Sequence, residues 1–311
     1  MVPDIGDAQK KGRKNMKILS FGSLNIDTVY HVDHIVMPGE TISSSGIDVN
    51  CGGKGLNQSI ALSRAGAQVW HAGMVGDDGA MLLKALEEAG VNTSLIRRVD
   101  VKSGNALIQV DAGGQNSIVL FGGANRRIDE AYIREVLEHF DEGDVLLIQN
   151  EISSLDILVN LAAKKGMKIC FNPSPMEEQL KSFDYSAIDL LFVNEVEGGQ
   201  ITGKSEAEEI IRCLEEHFPQ TKVVLTLGSE GAVFSCGGER TTVPAFRVQS
   251  VDTTAAGDTF TGYFITLYYE GSSPEEALRK ASAASAIAVS RPGASVSIPG
   301  REEMLKWLES R

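Results

Sequence analysis

Apolar residues along this chain fall into two alternating rhythms. Short continuous runs of the kind that fill a strand buried on both faces include "KILSFG" (17–22), "VWHAGMVG" (69–76), "DVLLIQ" (144–149), "KICFN" (168–172), "DLLFVN" (189–194) and "KVVLTLG" (222–228). Between them stand stretches with helical spacing: "KGLNQSIALSRAG" (54–66), "AMLLKALEEAG" (80–90), "AYIREVLEHF" (131–140), "LDILVNLAAKKG" (155–166) and "AEEIIRCLEEHF" (207–218). Strand followed by helix, repeated, predicts an α/β fold, a doubly wound and mostly parallel central sheet flanked by helices on both faces. Residues 256–311 read as mostly helix and close the domain.

Two regions break the rhythm. Residues 28–50 and 104–121 read as alternating, β-branched strands with no helix between them, and Gly113–Gly114 marks a turn. They predict a small separate β-sheet, a lid over the carboxyl ends of the main strands. Such a sheet has exposed edges and little core, so its apolar residues Val29, Val32, Ile35, Ile47, Val49, Leu107, Val110 and Ile118 predict pairing with the lid of a second chain, a homodimer. Residues 1–15 are polar with a basic run (Lys10, Lys11, Arg13, Lys14) and predict a disordered tail, leaving 16–311 as the folded domain.

Charge narrows the partners. Of 311 residues 42 are Asp or Glu against 29 Lys or Arg, a net charge of −13, so no basic face recommends nucleic acid and a small molecule is expected instead. No apolar run reaches the roughly 20 residues of a membrane span, so no membrane partner is expected. Cys51, Cys170, Cys213 and Cys236 are widely spaced without a CxxC pair, which predicts reduced thiols and a cytoplasmic location. His31 and His34 form an HxxH on an apparent strand, where the two rings would point to opposite faces rather than to one metal.

The stretch "VDTTAAGDTFTG" (251–262) carries the most chemistry. Ala255, Ala256 and Gly257 leave their amides uncovered, and a helix starting near Ala256 adds unpaired first-turn donors and its positive end, a corner that suits an anion. Asp258 falls in that first turn and offers a base; an ordinary N-terminal cap is the other reading of the same residues. Gly198 to Ser205, "GGQITGKS", fits the P-loop formula, but Glu195 and Glu197 place negative charge just before it and the next stretch explains Gly203 as the turn ahead of a surface helix. In "NCGGKGLNQS" (50–59), Gly52 and Gly53 permit close backbone approach and Lys54 supplies a charge. Asn25, Asp27, Glu151, Asn194, Thr226 and Gly228 all fall after strand-like runs, at the edge where open α/β sheets bind ligands.

Together these segments resemble the ribokinase-like sugar kinase family from Met16 to about Arg311. "GGKGLNQS" and "DTTAAGD" match its two signatures, and between them in order stand "GSLNID" (22–27), "PGET" (38–41), "FGGAN" (121–125), "NPSP" (172–175), "VNEVEG" (193–198) and "TLGSEG" (226–231). The resemblance implies an ATP-dependent kinase acting on the primary hydroxyl of D-ribose, with 2-deoxyribose or a nucleoside as rival substrates. A non-catalytic sugar-binding regulator and a P-loop NTPase are the readings from other classes. By the same resemblance Asn25, Asp27, Gly53, Lys54, Asn57 and Glu151 hold the sugar, and Asp258 is the base beside an anion hole of Ala255, Ala256 and Gly257. Asn194, Glu197, Thr226, Gly228, Ser229, Gly231, Gly257 and Ser282 lie on the ATP side, with Asn194 and Glu197 organising phosphate and Mg2+. Asp252, Thr254, Ala288, Arg291, Gly293 and Ser297 match a monovalent-cation site for K+. The chain departs from the pattern at Cys51, at Ser59 where alanine is usual, and at Ser282 near the adenine.

Overall fold

All four side chains of "ILSF" (18–21) are buried, so this first strand belongs inside a sheet covered on both faces. The computed structural model describes residues 16–311; the tail expected for 1–15 lies outside the described residues. In chain order the elements are β1 (Ile18–Phe21), β2 (Asn25–His31), β3 (Gly46–Gly52), α1 (Lys54–Arg64), β4 (Val69–Val75), α2 (Ala80–Glu88), β5 (Asn92–Arg98), β6 (Gly104–Val110) and β7 (Asn116–Phe121). They continue with α3 (Glu130–Leu137), β8 (Val145–Gln149), α4 (Leu155–Lys164), β9 (Lys168–Asn172), β10 (Leu190–Asn194), α5 (Glu195–Thr202), α6 (Ala207–His217) and β11 (Lys222–Thr226). The chain closes with β12 (Ala232–Cys236), β13 (Glu239–Val243), α7 (Ala256–Glu270), α8 (Pro274–Val289) and α9 (Arg301–Glu309).

Among the described residues the main sheet runs β13-β12-β11-β10-β9-β8-β1-β4-β5, parallel throughout except for the antiparallel β12 and β13. One face carries α1, α2, α7, α8 and α9 through Leu56, Leu82, Phe264, Leu278 and Met304; the other carries α3, α4 and α6 through Ile133, Leu158 and Ile210. Each such buried side chain contributes about 1.5–3 kcal/mol. The doubly wound expectation therefore holds. From β1 the chain winds outward to β4 and β5, then returns to the opposite flank at β8, so the strand order reverses between β1 and β8. Ligands bind open α/β sheets at such a reversal, beyond the carboxyl ends of the strands.

The second sheet, β3-β2-β6-β7, is the small sheet expected from 28–50 and 104–121. In the first segment the strands start earlier, at Asn25, and end later, at Gly52, and residues 32–45 contain no strand, whereas β6 and β7 begin and end at 104 and 121 as expected. The pair β2–β6 is parallel and the other two are antiparallel. Register corrects the apolar inventory. Ile47, Val49, Leu107, Val119 and Phe121 share one face, whereas Val29, Val110 and Ile118 lie on the other, with Asp27. Val32 is buried at the end of this sheet. His34 lies beyond β2 and bonds Glu40 at 2.8 Å, while His31 bonds Asp48 at 2.7 Å, so the two rings serve separate local pairs.

The P-loop formula meets a helix instead of a loop. Gly198 and Gly199 lie inside α5, where a Cβ on Gly198 would come within 2.7 Å of Ile210, and Gly203 ends the helix at φ 72°. Lys204 is exposed beyond it. Lys204→Ala is expected to leave ATP turnover unchanged within assay error, and a folded variant unable to bind ATP would restore the P-loop reading.

Candidate active site

Two helix starts face one another above the carboxyl ends of the central strands. The first is α1. Its N-cap, Gly53, adopts φ 93°, a conformation that disfavours side chains, and a Cβ on Gly52 would fall 1.9 Å from the Asp27 carboxylate. These two glycines let β3 pass directly over Asp27 and turn into α1. Glu151, just past β8, then receives the Lys54 amide at 3.0 Å and the Ser23 hydroxyl, clamping this turn to the reversal point of the sheet. Asn25 is joined to Asn125, whose Nδ2 donates to Asn25 Oδ1 at 2.8 Å.

The second start is α7. Ala255 caps it at φ 59°, the left-handed region that a residue with a Cβ rarely adopts, and no side chain caps the helix. A Cβ on Gly257 would meet nothing within 4 Å. The start of α7 thus borders open space, although Ala256 N donates to Thr253 O at 3.2 Å, and Asp258 follows, buried. The two starts meet at this carboxylate. Asn57 Nδ2 donates to Oδ2 at 3.1 Å and Gln58 Nε2 to Oδ1 at 2.9 Å.

A cleft of about 240 Å³ opens over α7's start, lined by Lys54, Asn172, Asn194, Glu197, Thr226, Ala255, Ala256, Gly257 and Asp258 among others. Two carboxylates, Glu197 and Asp258, and one ammonium, Lys54, line it, with Asp27 and Glu151 outside the lining. Burial, assisted by the Glu151 charge, raises the Asp27 carboxyl to about 7. Burial likewise pushes Glu151 up, with Ser23 and Lys54 opposing. Burial works against the Lys54 ammonium, but Asp258, Glu151 and Glu197 outweigh it and hold its pKa above the ordinary lysine range.

The predicted nucleotide-side and cation residues take several positions. Asn194 and Glu197 form a reciprocal capping box: Glu197 N donates to Asn194 Oδ1 at 2.8 Å, and Asn194 N to Glu197 Oε2 at 3.1 Å. Gly228 and Ser229 are exposed on the turn after β11, Gly231 (φ 119°) ends that turn, and Ser282 is buried in α8. None of these four lines the cleft. Asp252 ties two loops together, accepting from Thr254 N at 2.8 Å and Gly293 N at 2.9 Å. Burial opposes its ionised form, yet these donors prevail and lower its pKa. Ala288 O accepts from Arg291 N, Ser297 bonds Ala294 O, and the Arg291 side chain pairs with Glu303.

Residues 15–301 match the pfkB family of carbohydrate kinases. The chain belongs to this family. Ribokinase of Haemophilus influenzae is 37% identical over 306 residues, spanning 96% of this chain and 99% of its own. Ribokinase of Cryptococcus neoformans in complex with ADP is 35% identical with a TM-score of 0.82, covering 94% of this chain and 99% of that one. Ribokinase of Arabidopsis thaliana complexed with ribose and ATP is 30% identical with a TM-score of 0.83, covering 95% and 99%.

Five residues of this carbohydrate kinase to which the sequence motifs assign no role, Ser23, Gln58, Asn125, Gln149 and Asn172, are also bonded into the site. Gln58 carried a usable signal, because a long amide sits in an otherwise apolar stripe one residue after Asn57. Gln149 and Asn172 end apolar strands, a position where turn residues are common and a polar side chain draws no notice.

Proposed function

We propose that this carbohydrate kinase transfers the γ-phosphoryl group of ATP to the primary hydroxyl of D-ribose, giving ribose 5-phosphate and ADP. The observation that carries the reading is the carboxylate of Asp258 held by α1 in the first turn of α7, a helix start that no side chain caps. Asp27 and Glu151, with Asn25, Gly53, Lys54 and Asn57, bind the sugar hydroxyls and aim the primary one at Asp258. Asp258 takes its proton as the oxygen bonds to phosphorus, and the bond from phosphorus to the β-phosphate oxygen breaks to release ADP. The amides of Ala255, Ala256 and Gly257 stabilise charge on the moving phosphoryl group, and Thr226, Gly228, Ser229, Gly231 and Ser282 lie on the nucleotide side.

Two cations fit the donor sets. Glu197 retains acceptor capacity beyond its capping bond and lines the cleft with Asn194, which suits a hydrated Mg2+ held mainly by phosphates and one carboxylate. Bound there, Mg2+ would neutralise phosphate charge. The loops that Asp252 joins, with Thr254, Ala288, Arg291, Gly293 and Ser297, present carbonyl oxygens of the kind a hard monovalent cation takes, and K+ would stiffen the turn that carries Ala255. Among the described residues no helix is long and apolar enough to cross a membrane, and a cytoplasmic setting accords with four unpaired thiols.

An ADP-release assay over ribose, 2-deoxyribose, fructose and adenosine tests the reading. Ribose is expected to give the highest kcat/KM, and K+ added to sodium-free buffer to raise it. Preference for 2-deoxyribose or adenosine would reassign the substrate, and a flat K+ response would remove the cation.

The lid supports a dimer. Val49 is 53% and Val119 62% exposed, on the apolar face turned away from Asp27. Sedimentation at micromolar concentration is expected to give twice the 33.4 kDa chain mass, falling to one chain in Val49→Asp. A single species at chain mass in the parent protein would reject the dimer.

A further inference from the structure

Gln58 and Gln149 are wholly buried amides to which the roles above give no task, and they stand directly behind Asp258. Their hydrogen-bond chain has two ends that only accept, the Asp258 carboxylate and the Phe192 carbonyl. At the Phe192 end, Asn172 must turn its NH2 toward that oxygen (3.2 Å), which leaves its Oδ1 facing Gln58. At the Asp258 end, Gln58 must present its NH2 (2.9 Å), and the same NH2 reaches Asn172 Oδ1 at 3.2 Å. Gln58 Oε1 is thereby directed to Gln149, whose Nε2 donates to it at 2.7 Å. Reversing Gln58 would set acceptor against acceptor at Asp258 and at Asn172 and donor against donor at Gln149. Gln149 and Asn172 are the last residues of β8 and β9, so the chain is anchored on two adjacent strands of the central sheet.

We propose that Gln149 and Gln58 are positioning residues, a directional amide relay that fixes the plane of the Asp258 carboxylate and keeps its Oδ2, on the Asn57 side, facing the acceptor hydroxyl. The inference rests on the reading of Asp258 as the base. It assigns Gln58 no contact with substrate and Gln149 no contact with Asp258.

Steady-state kinetics of Gln58→Met, Gln149→Met, the double variant and each in an Asp258→Asn background test it, with unfolding midpoints measured alongside. Gln58→Met is expected to lower kcat about tenfold or more while KM for sugar and ATP stays within about twofold, because only alignment in the transition state is lost. Gln149→Met is expected to lower kcat about threefold by itself and to add nothing to Gln58→Met, since it acts through that side chain. Neither is expected to slow Asp258→Asn further. Single-variant losses that multiply in the double variant, or that appear in KM instead of kcat, would overturn the relay. If Asp258→Asn itself turns over normally, the base assignment fails and the relay with it; if Asp258→Asn is inactive but the glutamine effects multiply, only the relay fails.

Discussion

Asp258→Asn is expected to lower kcat by at least about 10²-fold, the scale of losing a positioned base, with the fold retained. The substitution keeps the shape and one acceptor oxygen, so either Asn57 or Gln58 retains its bond while the other meets an NH2 group. Lys54 also loses one of the three carboxylates that hold its charge. Those changes are small beside the loss of a proton acceptor at the reacting oxygen. Single-turnover ADP formation, read with the unfolding midpoint, separates the two contributions. Near-normal turnover in the folded variant would place the base elsewhere.

Asp27→Asn is expected to pull stability and activity in opposite directions. Burial and Glu151 raise the folded-state pKa of Asp27 from 3.8 to about 7, so between those values the folded state holds the proton more tightly than the unfolded chain. Stability from this group is therefore present at low pH and declines as pH rises through that window. Asparagine mimics the protonated form, so the variant should melt at least about 2 °C higher than the parent at pH 8, on the usual scaling for a chain of this class. That gain should vanish toward pH 4. Meanwhile kcat/KM for the sugar should fall by about 10²-fold, because an ionised acceptor has been replaced by a group half donor. In the parent protein, KM for the sugar should rise as pH drops below about 7. A destabilised variant at pH 8, or a sugar KM that does not move between pH 8 and 5.5, would contradict the assignment.

The central sheet was legible because strands buried on both faces carry nearly continuous apolar runs, interrupted only by Ser20 in β1 and by the last residues of β8 and β10. The same rule hid the edges. β5 holds only two apolar residues, Leu95 and Ile96, between polar and charged ones, and β12–β13 form an antiparallel hairpin on an otherwise parallel sheet, so neither fits the strand-then-helix rhythm. The turn "CGGE" was the available signal, since Gly237 and Gly238 both take positive φ as a tight hairpin requires. Both helix starts of the site were readable from their small residues. The amide relay was not, because glutamine announces neither charge nor reactivity and its partners lie on different strands. Asn194 and Glu197 show how one pattern holds two meanings: the spacing taken to organise phosphate is also a capping box, and the geometry satisfies it.

The separation along the chain between the two halves of this site bears on the order of synthesis. Asn57 and Asp258 are 201 positions apart, and β1 obtains its second neighbour only when β8 has been made. Chains emerge from the ribosome amino end first, so α1 waits through most of translation without α7, and Asn57 and Gln58 wait without the Asp258 carboxylate. Long-range closure of this kind is slow relative to local structure. The final helices thus supply both part of this core and the carboxylate that Asn57 and Gln58 hold, and a product interrupted before α7 lacks both.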